Sequence, residues 1–202
     1  MTKPVLMEPD RDMLHDGSQV PLDSIETYTG KYVSLSDPQL DQISIDDIAR
    51  SLAVQCRFCG HCKAHYSIAE HSVHVHDQVM RKYGKGGISY AALMHDAAEA
   101  YLGDVTRPLK ALLPDYKTLE ARMQGKICER FGVPLAEIIN KIVKVYDDMV
   151  TRAEAFQLMP SQGVHWGISA TKVVAVPIRC YRPNKAAILF LKAFNQYYDE
   201  AA

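Results

Sequence analysis

Residues 92–104, ALMHDAAEAYLGD, set one imidazole and three carboxylates into a short and otherwise apolar run. His95 and Asp96 are neighbours, and on a helix adjacent side chains diverge by about 100°. An ion lying between those two directions can still be reached by both. Glu99 comes three positions after Asp96 and four after His95, which puts it on their face. Asp104 follows Gly103, where a helix is expected to stop. A lone His-Asp pair would read as a solvated acidic face beside a core histidine. Here the alanine-rich surroundings would bury the polar groups, and buried carboxylates need partners. A divalent cation is the natural one. A metal lowers the pKa of bound water toward ~7 and offsets charge on a phosphoryl oxygen. A carboxylate beside it can accept the proton of that water.

Such a centre needs more donors than one His-Asp pair. His71, in YSIAEHSVHVHD, lies on the preceding helix and can reach the same space. A further acid is expected from a later helix, where Asp147 and Asp148 sit among the candidate core positions Ile142, Val143, Val150 and Phe156. Periodicity leaves both aspartates open. Arg107 and Lys110, in TRPLK just after Asp104, offer cations at the mouth of the site, and Pro108 can pack against a base or sugar. The stretch QCRFCGHC contains Cys56, Cys59 and Cys62 with His61, enough thiolate and imidazole for a tetrahedral zinc. Structural zinc sites usually draw on two separated knuckles, and no second CxxC exists in the sequence. That argues against a structural zinc on these thiols.

The elements that must position these groups are mostly helical. Helices are predicted over 45–56, 68–83, 88–103, 116–132, 134–159 and 183–198, after a short hairpin over 24–35 centred on Thr29-Gly30. Ser67 with Glu70 is a capping box, and Ser44 with Asp47 resembles one. Residues 1–22 read as a mobile lead-in, and 23–202 as a single domain. The 202 residues suffice for one sizeable core. A net charge of −1 offers no general pull toward nucleic acid or an anionic membrane, so a polyanionic ligand must meet local cations. The sequence contains no apolar run near the ~20 residues a membrane helix needs. Five cysteines, an odd number, fit reduced thiols, and a cytoplasmic location is expected.

The order AEHS, then HDAAEAYLGD, then an aspartate on a downstream helix resembles the HD-domain metal-dependent phosphohydrolase superfamily. It looks closest to bacterial 5′-deoxynucleotidases and to the dATP triphosphohydrolases of phages that carry 2-aminoadenine. The segments ETYTGKYVSLSDP, YSIAEHSV, GDVTRPLK and LEARMQGKICERFG extend the likeness over about residues 25–195. The resemblance implies an all-α HD-domain helical bundle with a short N-terminal β-hairpin. It implies His71, His95, Asp96 and Asp147 as ligands of Zn, Co or Mn. Asp147 is preferred because Glu154, seven residues on, falls in the relatives' register. Glu99 would orient or deprotonate water, and Asp104 would assist it or hold a second ion, Mg, with the phosphates. Arg57 stands where the deoxynucleotidases place a phosphate-binding arginine, and Phe58, Gly60 and His61 match a retained element of the phage group. The implied partner is a small-molecule nucleotide, and the implied assembly a homo-oligomer, a hexamer being one such form. The expected reaction is dATP to deoxyadenosine and triphosphate. The alternatives are a deoxynucleoside 5′-monophosphatase and a non-catalytic or zinc-stabilised HD module.

Overall fold

The computed structural model describes residues 20–167 and 174–198. The lead-in predicted for 1–22 lies outside these residues up to position 19. Strands β1 (Ser24–Glu26) and β2 (Tyr32–Ser34) pair antiparallel, with Ile25 opposite Val33. The helices are α1 (Ile45–Val54), α2 (Ile68–Tyr83), α3 (Gly87–Met94), α4 (Glu99–Leu102), α5 (Arg107–Leu112), α6 (Pro114–Phe131), α7 (Leu135–Ile138), α8 (Lys141–Leu158) and α9 (Pro183–Phe194). The protein is therefore the all-α bundle with a small hairpin that was expected.

Helix α2 is the central element, packing on α3, α8 and α9, while α1 packs on α9 and α4. Its Ile68, Ala69, Val75 and Val79 are fully buried, as the i, i+7, i+11 spacing of an apolar stripe requires. Ser67 caps α2 by accepting a hydrogen bond from Glu70 N at 3.1 Å. Glu70 does not reach back to complete the box. Its carboxylate instead accepts from the backbone N–H groups of Arg179, Cys180 and Tyr181 at 2.8, 3.1 and 2.7 Å, which moors the approach to α9. Nor does the Ser44 side chain cap α1. Asp47 accepts from Thr29 N and Thr29 Oγ1, both at 2.7 Å, and fastens the hairpin turn to α1.

Three boundaries depart from the predicted ones. The helix expected over 88–103 breaks into α3 and α4, because its ladder tightens over the intervening turn. Ala97 N donates to Met94 O, Glu99 N to Asp96 O and Ala100 N to Ala97 O, all to the third residue back. The helix expected over 134–159 is interrupted at Asn140, whose side chain accepts from Ile142 N and starts α8 afresh. TRPLK, for which no helix was predicted, supplies most of α5, with Pro108 in its first turn. Val143 and Val150 are core residues as expected, but Phe156 is 56% exposed, so the buried face of α8 does not include it.

Asp47→Ala should lower the free energy of unfolding by about 1.5–3 kcal/mol, the usual worth of hydrogen bonds to a buried charged group. Ser44→Ala should shift it by less than about 0.5 kcal/mol. Urea titration of both variants checks this, and a larger loss from Ser44→Ala would refute the assignment.

Candidate metal centre

Four side chains from three elements meet on one side of α2. His71 from α2 is fully buried. His95 and Asp96 come from the tightened turn after α3, and Asp147 from α8. His71 Nε2 lies 3.3 Å from Asp147 Oδ1 and 3.6 Å from Asp96 Oδ2. His95 Nε2 lies 3.2 Å from Asp96 Oδ2 and 4.0 Å from Asp147 Oδ1. Donors bound to a single ion at about 2.0–2.2 Å stand about 3–3.6 Å from one another, so this spacing suits one cation. One donor atom each from His71, His95 and Asp147 falls within a 4.8 Å group, the one such His/Cys/Asp/Glu group among the described residues.

The tautomers agree with that use. His71 Nδ1 is 2.7 Å from Glu154 Oε1, and His95 Nδ1 is 3.0 Å from Ala92 O. Each contact requires an Nδ1–H, so Nε2 is the nitrogen that faces the cluster and the one a metal would bind in place of a proton. Both Nε2 atoms are buried without a hydrogen-bond partner. Unpartnered buried nitrogens aimed at two carboxylates are what a metal would satisfy.

The charges point the same way. Burial and Arg57 disfavour a cation at His71, yet Glu154 and Asp147 outweigh them and push its pKa up to about 9. Although burial opposes it, the His95 and His71 rings hold the Asp96 carboxyl well below the ordinary range. Asp147 is held far down against the same burial, first by the adjacent His71 ring and then by the charges of His95 and Lys144. A field that so favours positive charge attracts a divalent ion. Glu99 behaves oppositely. Burial, then the nearby Asp96 and Asp104, raise it well above the usual glutamate value. Asp104 is also raised, by burial first and Asp96 next among the causes acting upward.

The two candidate aspartates of α8 are separated by geometry. Asp148 pairs with Arg107 and with Lys144 at 3.0 Å, away from the histidines. Asp147 faces them, with Lys144 Nζ at 2.6 Å on its other oxygen. A cavity of ≈ 1230 Å³ opens beside the cluster. Arg57, Phe58, His61, His95, Asp96, Glu99, Asp104, Pro108, Lys110 and Asp147 all line it, together with Arg107, Lys117, Lys144 and Trp166. Gly60 does not line it. Its φ of +77° makes it part of the tight turn that presents Phe58 and His61.

Two cations expected to be free for phosphate are engaged already. Arg57 Nε donates to Glu154 Oε2 at 3.2 Å, its NH2 donates to Thr151 Oγ1 at 3.3 Å, and its NH1 lies 3.7 Å from Asp96. Lys110 Nζ lies 3.3 Å from Glu99 Oε1 and 2.5 Å from Glu120 Oε1. Arg57 and Lys110 thus brace the acids as well as line the cavity. His74 turns aside to Glu70 and stacks against Tyr66, and His76 bonds Tyr197 Oη at 2.9 Å.

Sequence reasoning missed the supports behind the ligands. Glu154 is fully buried and receives His71, Arg57 and Tyr66 Oη, the last at 2.7 Å. Thr151 Oγ1 donates to Asp147 Oδ1 at 3.2 Å. Asp147, Thr151 and Glu154 form a polar stripe at i, i+4, i+7 between buried Val143 and Val150. That stripe was the available signal, since polar residues on a core-facing helix surface imply a shared partner.

The HD domain family matches residues 61–162. An uncharacterized protein of Escherichia coli K12, YfdR, is 36% identical over 176 residues, 85% of this chain and 93% of the relative. This chain belongs to the HD domain family. An uncharacterized protein of Rhodobacter capsulatus is also 36% identical, over 137 residues, 64% of this chain and 70% of that protein. HD domains are in general metal-dependent hydrolases, and the His71–His95–Asp147 group fits the divalent ion that this chemistry needs. No helix among the described residues is long and apolar enough to cross a membrane.

Asp147→Asn should abolish retention of one Co²⁺ or Mn²⁺ per chain, whereas Asp148→Asn should retain it. Glu154→Gln should weaken metal affinity about 10–100-fold, the usual effect of removing a carboxylate behind a ligating histidine. Elemental analysis after dialysis, with calorimetric titration, checks all three.

Proposed function

We propose that this HD-domain protein is a metal-dependent deoxynucleotide phosphohydrolase that converts dATP to deoxyadenosine and triphosphate. The observation that carries the reading is the pair of buried, unpartnered Nε2 atoms of His71 and His95 opposite Asp96 and Asp147, with Glu99 alongside. His71, His95, Asp96 and Asp147 hold Zn, Co or Mn, and Asp104 is suited to help hold a second ion, Mg, among the phosphates. A divalent ion bound there supplies Lewis acidity toward a phosphoryl oxygen and a more acidic water.

The residues around it do the rest. Glu99 lines the cavity with Oε2 buried and unpartnered, while Lys110 holds Oε1 at 3.3 Å. Oε2 is therefore the atom placed to take a proton from the attacking water. Arg57 steadies Asp96 and Glu154 and turns its remaining N–H capacity toward a phosphoryl oxygen. Lys117, Lys144 and Arg107 line the outer cavity and suit the further phosphates of a triphosphate. Phe58, Gly60, His61 and Pro108 shape the nucleoside side, where crowding against a 2-amino group would favour adenine over guanine or diaminopurine. Assembly as a homo-oligomer, such as a hexamer, belongs to the same reading and is measurable by light scattering.

A second reading is a deoxynucleoside 5′-monophosphatase releasing inorganic phosphate. It is favoured by the engagement of Lys110 with Glu99 and Glu120, and of Lys144 and Arg107 with Asp147 and Asp148, which occupies cations that further phosphates would need.

Purified protein with Co²⁺, Mn²⁺ or Mg²⁺ should turn over dATP in preference to other deoxynucleotides, with triphosphate as the product resolved by ion exchange. Inorganic phosphate from deoxynucleoside monophosphates would support the second reading instead. No product from any deoxynucleoside tri- or monophosphate under all three metals would end both. Glu99→Gln should cut kcat by about 10²–10⁴, the range for removing a general base, while metal content stays at wild-type level.

A further inference from the structure

The thiols of the C-x-x-C-x-x-C run do not behave alike. Cys59 is exposed, whereas Cys56 and Cys62 are half-buried with their Sγ atoms 3.5 Å apart. Between them lies a five-residue loop, Arg57–His61, that contributes Arg57, Phe58 and His61 to the cavity. Both ends of that loop are fixed. Cys56 pairs with Ser67 in an isolated antiparallel bridge, Arg57 N donates to Tyr66 O at 2.9 Å, and Lys63 N donates to Leu158 O at 3.1 Å. Its crown is strained, with Phe58, Cys59 and Gly60 at φ of 57°, 51° and 77°. Left-handed backbone is costly for residues with a Cβ, and such a run persists only while its surroundings hold it.

We propose that Cys56 and Cys62 form a reversible disulfide that locks the Arg57–His61 loop, making the mouth of the cavity responsive to thiol redox state. A disulfide bond is about 2.05 Å long, so the sulfurs must close by about 1.5 Å, within reach of side-chain rotation and a small loop adjustment. The chemistry is thiol–disulfide exchange with a small-molecule disulfide such as oxidised glutathione. The Cys56 thiolate attacks one glutathione sulfur and expels a glutathione thiolate. The Cys62 sulfur then attacks Cys56 Sγ of the mixed disulfide and expels the second, while its proton passes to solvent. Two protein thiols are oxidised and one glutathione disulfide is reduced to two thiols. Burial and the adjacent Cys56 raise the Cys62 pKa, so Cys62 keeps its proton longer, as suits the resolving partner. A bond across a strained, partly exposed loop belongs to the reducible kind that regulates rather than the kind that merely staples.

The molecule carries its own reporter. Trp166, the single tryptophan in the sequence, stands edge-on to Phe58 with ring centroids 5.5 Å apart. Locking the loop must alter that contact and the tryptophan emission with it.

The full chain is equilibrated in glutathione buffers of increasing oxidised fraction, alkylated and digested with trypsin. Cleavage after Arg57 separates Cys56 from Cys62, so the bond appears as the peptide 51–57 joined to the peptide 58–63. Wild type and Cys59→Ser should both show this joined pair, a mass loss of about 2 Da for two hydrogens, and a shift in Trp166 emission, all reversed by dithiothreitol. Cys62→Ser and Cys56→Ser should show none of these. The proposal is overturned if oxidised Cys59→Ser still alkylates fully at Cys56 and Cys62, if Cys56 joins Cys180 instead, or if the bond forms without moving the emission. On the nucleotide reading, oxidation should raise KM several-fold with kcat within about twofold. The mass and emission readouts stand whether or not that reading holds.

Discussion

A carboxylate buried without exposure is the constraint on which this site depends. Glu154 sits at 0% exposure, with Tyr66 Oη and His71 Nδ1 each 2.7 Å from Oε1 and Arg57 Nε 3.2 Å from Oε2. Burial alone would push its proton affinity up. The Arg57 and His71 charges and the hydrogen bonds from His71 and Tyr66 reverse that and bring its pKa down to about 2. The ionised carboxylate then accepts the Nδ1–H of His71, and that contact decides which nitrogen faces the cluster. Breaking such a buried network leaves a charge uncompensated, which costs far more than the network contributes when whole.

The same logic explains why the arginine before Phe58 is so deeply buried. Arg57 is a structural counter-ion to Glu154 first, with a hydrogen bond to Thr151, and a lining group of the cavity second. Because its fork is planar and always charged, it can brace two acids and still expose N–H groups to a ligand. Lys110 plays a parallel part for Glu99 and Glu120. Burial would lower its own pKa, yet those carboxylates carry it above the ordinary lysine range. Acids that would otherwise repel one another around an ion are thus held apart by paired cations from the rim.

A division of labour follows from where these groups sit. The two histidines and the acids facing them stand on α2, α8 and the turn joining α3 to α4, which pack together as the centre of the bundle. The groups that would touch the rest of a substrate come from the Arg57–His61 turn, from α5 and from the segment around Trp166, all nearer the surface. Rigid elements suit a geometry that must hold within a few tenths of an ångström, and surface loops suit groups that meet the more variable parts of a ligand.

Residue type and order alone determined much of this. His95 and Asp96 were legible because an imidazole and carboxylates in an apolar, alanine-rich helix have no cheap way to be buried except together, and His71 through the order of motifs. The helical character and the small hairpin were legible from periodicity and from Thr29-Gly30. What periodicity could not supply was direction. Asp147 and Asp148 are equivalent one residue apart until packing of α8 on α2 turns one toward the histidines and leaves the other to Arg107 and Lys144. The tightened turn at residues 95–98 has no glycine or proline to announce it, and only the folded chain shows those hydrogen bonds reaching back three residues instead of four. Glu154 looked like a register mark, and Glu70 like half of a capping box, because their partners lie 83 and more than 100 positions away. Only the fold brings such distant groups within hydrogen-bonding reach, since the chain carries no local trace of a contact closed by packing.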